Sequence, residues 1–64
     1  MINHIKELRK SKKITQSKMA NKIGISRVGL QNIESGKSLP MVDTAFKIAH
    51  LFGKRIDEVF VLED

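Results

Sequence analysis

The sequence predicts an all-α domain built from five short helices. Three observations carry that prediction. Apolar residues recur at three- and four-residue steps along nearly the whole chain, the period of a helix with one buried face. Gly24, Gly36, Pro40 and Gly53 punctuate those stretches at helix-length intervals. No stretch alternates with period two except VFVL at residues 59–62. That run could extend and pair with residues 1–3 as a tiny terminal two-stranded sheet.

The first helix is expected over residues 3–12, capped by Asn3, with Ile5 and Leu8 inward. The run RKSKK, residues 9–13, puts cations at its C-terminal end, where they complement the helix dipole. The second helix is expected from Thr15, a good N-cap, to about Ile23, with Met19, Ala20 and Ile23 as its inner stripe. Gly24 stops it by accepting a left-handed conformation that Cβ-bearing residues resist. Ser26 caps a third helix ending near Ser35, with Gly36 as the next stop. Two short helices around the tight turn KIGIS give helix-turn-helix spacing over residues 15–35. Pro40 suits the start of a fourth helix, which buries Val42, Ala45, Ile48, Ala49 and Phe52 before Gly53. A last turn, IDEVF, takes Asp57 as its cap and packs Ile56, Val59 and Phe60.

At 64 residues the chain reads as one domain, 1–64, near the lower limit for folding on a hydrophobic core alone. It has no cysteine, so neither disulfides nor a thiolate zinc site can reinforce it. That usage fits a reducing cytosol, and a cytoplasmic location is expected. No apolar run approaches the ~18 residues of a membrane span. The N-terminus MINHIKELRK lacks the apolar core and small-residue site of a secretory signal. His4 and His50 lie far apart without metal-ligand spacing, and no glycine-rich phosphate loop is present. No enzyme activity, metal, cofactor or small-molecule ligand is expected. The charge is uneven: nine Lys/Arg against two acids in residues 1–40, and three against five in residues 41–64. A basic half on a small domain points to a polyanionic partner, and its bland counterpart is a basic solvated surface.

The third helix sharpens that reading. On a wheel, Leu30 and Ile33 fall together and face the core. Val28, Gln31, Asn32 and Ser35 lie opposite, with Arg27 beside them. Arginine's planar fork matches guanine N7 and O6, and asparagine or glutamine matches adenine N6 and N7. A valine methyl can pack on a thymine methyl. Such contacts come from the N-terminal part of a helix in the major groove, where Ser26, Arg27 and Val28 stand. Gly29, beside that face, would permit close approach to the DNA backbone or to the second helix.

Nearly the whole chain, from IKELRKSKKITQSKMANKIGIS through LQNIESGKSLP to AFKIAHLFGKRIDEVF, resembles the Cro/repressor-type helix-turn-helix regulators, the Xre family. Leu8-Arg9, Thr15-Gln16, Met19-Ala20, Gly24-Ile25-Ser26, Ile33-Glu34, Gly36-Lys37 and Pro40 occupy the positions of its skeleton. Each piece is weak alone; together, in this order and spacing, they are strong. The resemblance implies a compact five-helix lambda-repressor-like domain that binds double-stranded DNA as a homodimer on a two-fold operator. It implies base contacts from Arg27, Val28 and Asn32, with Ser26 and Gln31 secondary. Gln16 would hold a phosphate and brace the third helix, with Thr15 and Ser17 nearby, and Lys37 and Ser38 would hold the backbone on the other side. Arg9 and Glu34 match an ion pair that is structural, and the wheel also turns Glu34 toward Leu30.

The chain departs from the family at several places. Lys18 stands where a glutamate often completes a capping box with Thr15, which frees Lys18 for a phosphate. Met41 and Arg55 replace common helix caps. The expected function is transcriptional repression through sequence-specific DNA binding. The alternative is an antitoxin or adaptor module acting through a protein partner. The dimer surface is expected at Phe60, Val61 and Leu62, whose simpler role is closure of the core.

Overall fold

The computed structural model describes residues 2–61. Among them, five helices follow a two-residue strand and precede another: β1 (Ile2–Asn3), α1 (Ile5–Ser11), α2 (Gln16–Ile23), α3 (Arg27–Glu34), α4 (Val42–Phe52), α5 (Ile56–Val59) and β2 (Phe60–Val61). The strands pair antiparallel, Ile2 with Val61 and Asn3 with Phe60. The terminal sheet anticipated from VFVL therefore forms, and the His4 N–H donates to the Val59 carbonyl at 2.8 Å beside it.

Ile5, Met19, Ala20, Ile23, Leu30, Ile33, Ala45, Ile48, Ala49, Phe52, Val59 and Phe60 make one buried cluster, with Leu8, Ile14, Ile25, Leu51 and Ile56 packed against it. Each helix thus contributes the stripe that its apolar spacing marks out. Val42 is the exception. It was assigned to the buried face of α4, yet it is 73% exposed, and Thr44 is buried instead. Val42 lies one step past the edge of the stripe formed by Thr44, Ala45, Ile48, Ala49 and Phe52. It also begins the helix, where the first turn overhangs the core.

The helix ends follow local chemistry with three adjustments. Asn3 does satisfy an amide at the start of α1, since its Oδ1 accepts from Ile5 N–H at 3.1 Å. The capping position itself, however, falls to His4. The fourth helix starts at Val42, two residues after Pro40, with Met41 as a cap that makes no side-chain bond. At α5 the cap is Arg55 and not Asp57. Glu58 reaches back so that its Oε1 accepts from Arg55 N–H at 2.8 Å, while Asp57 accepts from Arg55 Nε at 3.0 Å. The Asp57 hydrogen bond and charge, aided by Glu58, raise the Arg55 pKa above its ordinary value. That guanidinium is charged at any working pH regardless.

Candidate nucleic-acid interface

Helices α2 and α3 pack on each other across the turn at Gly24, whose φ of 79° is the left-handed geometry the sequence called for. Both helices begin with a hydroxyl cap. Thr15 Oγ1 accepts from Lys18 N–H at 3.1 Å, and Ser26 Oγ accepts from Gly29 N–H at 3.0 Å. Neither helix has an acidic residue in its first turn. No acid within either first turn therefore offsets the positive end of the helix, a condition that suits phosphate.

The outer face of α3 is as the wheel drew it. Leu30 and Ile33 are buried, Arg27 and Gln31 are exposed, Asn32 is half-buried, and Val28 is 59% exposed. The side chains of Arg27, Gln31 and Asn32 make no hydrogen bond among the described residues. Ser26 differs, because its oxygen already accepts one bond as the cap, though its hydroxyl hydrogen is still available to donate. Gly29 has its close neighbour inside the protein: a Cβ there would meet Ser26 Oγ at 3.1 Å, and no atom of α2 lies within 4 Å of it. Of the two approaches foreseen for this glycine, that to α2 is not what the geometry shows; its nearest constraint is its own helix cap.

Beneath this face sits a polar network. Arg9 Nε donates to Glu34 Oε2 at 3.0 Å and Arg9 Nη2 to Glu34 Oε1 at 3.4 Å, a nearly bidentate pair. The side chains are 12% and 6% exposed. Arg9 Nη1 also donates to the Ile14 carbonyl at 3.0 Å. Gln16 Nε2 donates to Glu34 Oε1 at 3.3 Å, which ties the start of α2 to the end of α3 and leaves a second amide hydrogen for another acceptor. The carboxylate thus gathers α1, α2 and α3 around one point.

The remaining phosphate candidates flank α3. Thr15, Ser17 and Lys18 are exposed around the start of α2. Lys37 and Ser38 are exposed beyond its end, where both backbone amides donate to the Asn32 carbonyl, at 2.9 and 3.2 Å. Two placements escaped the sequence reading. Asn3 Nδ2 donates to the Ile33 carbonyl at 2.9 Å, fastening the N-terminal strand to the end of α3. Lys6 lines a hollow of about 260 Å³ with Gln16, Gln31, Glu34 and Ser35. The spacing of Ile5 and Leu8 turns Lys6 outward but does not say which side it joins. Of the proposed dimer residues, Phe60 is 5% exposed and belongs to the core, Val61 is half-buried, and Leu62 lies outside the described residues.

A small all-α scaffold that presents a short polar helix from a helix-turn-helix defines the class, and comparison with known proteins agrees. The helix-turn-helix family profile matches residues 5–59. The chain belongs to that family, the Xre-type DNA-binding transcription regulators. It is 42% identical over 64 residues to an uncharacterised HTH-type transcriptional regulator of Methanocaldococcus jannaschii, covering all of this chain and 97% of that protein. It is 37% identical over 65 residues to the ImmF control region 10 kDa protein of Bacillus phage phi105, covering 94% of this chain and 72% of the relative. A match to the cryptic phage CTXphi transcriptional repressor RstR of Vibrio cholerae is 41% identical over 51 residues, 80% of this chain and 46% of that protein. Among the described residues, no three His, Cys, Asp or Glu side chains gather as a metal site. No helix among them is long and apolar enough to cross a membrane.

Proposed function

We propose that the protein is a cytoplasmic repressor that sits on a two-fold operator as a homodimer, with α3 in the major groove. One observation carries the reading: α3 presents Arg27, Gln31 and Asn32 with unengaged polar heads beside an exposed Val28. Arg27 reads guanine, Gln31 and Asn32 read adenine, and Val28 packs on a thymine methyl. Ser26 donates its hydroxyl hydrogen at the helix entrance. Thr15, Gln16, Ser17 and Lys18 hold the phosphates on one side of the groove, and Lys37 and Ser38 hold them on the other. Repression is supported by the phage relatives, one named for a control region and one as a transcriptional repressor. The molecule measures 32 × 21 × 19 Å, so two touching copies are of the right size for half-sites one turn apart, about 34–36 Å.

Binding-site selection from random duplex DNA, repeated at several salt concentrations, tests the proposal. The expected result is a two-fold motif with a steep salt dependence, each neutralised phosphate adding about −0.9 to the log–log slope. Sequence-blind binding would overturn it. On the selected site, Arg27→Ala should cost ~1–3 kcal/mol and relax one base position. Lys37→Ala should weaken all sites alike and reduce the slope by about 1.

A further inference from the structure

Four large apolar side chains, Leu39, Met41, Val42 and Phe46, stand three-fifths to three-quarters exposed at and just before the start of α4. Isolated exposed apolar residues are ordinary, but a cluster marks an interaction surface. Val42, Phe46 and His50 recur at four-residue spacing, so they form one stripe along α4, next to the buried stripe and continuous with it through Ala49. Phe46, Ala49 and His50 also line a groove of about 400 Å³ with Lys54, Arg55 and Ile56. The protein therefore carries both an apolar ridge and a groove that such a ridge can fill, on the same side of the same helix.

We propose that this α4 face is where a second copy of the chain docks, with the two α4 helices antiparallel about a two-fold axis beside Phe46. The inference rests on the homodimer reading above and replaces the chain end with a definite surface, since Phe60 is already spent on the core. The pattern is self-complementary, as a two-fold contact requires. A two-fold axis across the helix keeps each side of the stripe on its own side in both copies. Met41 and Val42 of one copy then lie over the groove of the other, at the level of Ala49 and His50, and the two Phe46 rings meet near the axis. On the opposite flank, Asp43 of one copy lies over Lys47 and His50 of the other. The acid stands near the start of the exposed stripe and the bases further along it, so an antiparallel pairing matches charge while a parallel one sets like against like.

The absence of cysteine makes a clean probe. Phe46→Cys should form a disulfide-linked dimer under mild oxidation, because bridging needs Cα atoms within about 7 Å of each other. Val61→Cys should not. In sedimentation equilibrium without DNA, Phe46→Lys should raise the dimer dissociation constant at least about tenfold while the separated copies keep the wild-type helical circular dichroism, as the ring is exposed in the single copy. Asp43→Lys should weaken the dimer, and the pair Asp43→Lys with Lys47→Asp should restore it. A wild-type chain that stays monomeric at all concentrations overturns the proposal. So does a dimer indifferent to Phe46→Lys, or one that cross-links at Val61→Cys instead. The proposed function is tested apart from this. If site selection returns no two-fold motif while the dimer forms through Phe46, the operator reading fails and the docking surface stands. If Phe46→Lys is monomeric and still binds a duplex carrying one half of the selected site, both stand.

Discussion

Only two acids, Glu7 and Glu34, occur in the first forty residues, and the one in α3 is turned inward. Left on the outer face it would oppose phosphate; paired with Arg9 and Gln16 it fixes the attitude of the helix. Removing one partner from a buried pair strands the other, so Glu34→Ala should cost about 3 kcal/mol. A chain this size has a total stability of roughly 3–10 kcal/mol, so the thermal midpoint should fall far. An unchanged midpoint would contradict the network. The wheel placed Glu34 inward, and the family pattern supplied Arg9 as its partner. Asn3, which holds the same helix end from 30 residues away, left no local trace. The same contrast holds at Gly29, where the sequence showed an anomaly and the structure shows a close neighbour, Ser26 Oγ. Ser26→Ala should cost about 1 kcal/mol through the lost cap. Gly29→Ala should then be better tolerated in the Ser26→Ala background than in wild type. A double-mutant cycle on urea midpoints measures that coupling, and strict additivity would refute the contact.

Among the elements, α1 ends most awkwardly. Lys13 carries a φ of 58°, the only positive value outside glycine among the described residues. Its amide donates to the Lys10 carbonyl and Ile14 N–H to the Arg9 carbonyl, so the chain turns where a glycine would normally sit. Lys13→Gly should therefore stabilise the fold by about 1 kcal/mol, read as a higher urea midpoint. The sequence marked the glycine stops well, because they answer to a local backbone need. It had no comparable signal at Lys13, where neighbouring contacts hold an unfavoured conformation. The edges of faces were harder still. Periodicity gives the angle at which Val42 leaves α4, but not how far the core beneath it extends. The outer surface of α4 was thus the one read least well, and it is the surface proposed above to receive a second copy.

At the scale of the molecule, the core and the reading face point in independent directions. Leu30 and Ile33 hold α3 down while Arg27, Gln31 and Asn32 remain outside. The exposed residues of α3 can therefore vary without loosening the fold. The sheet that completes the fold was legible only as a short extended run, since two-residue strands carry almost no period. Its pairing of Ile2 with Val61 brings the first and last described strands side by side. The described segment 2–61 is thus a near-ring, and a short peptide joining residue 61 to residue 2 in an excised 2–61 chain would close it without bending either strand. Closing that segment into a loop of roughly sixty residues should raise its stability over the open 2–61 chain by about 4 kcal/mol in the chain-entropy treatment. The circular segment should show a higher denaturation midpoint than the open one with the α3 face unchanged, because the seam lies in the β1–β2 sheet and not in that helix.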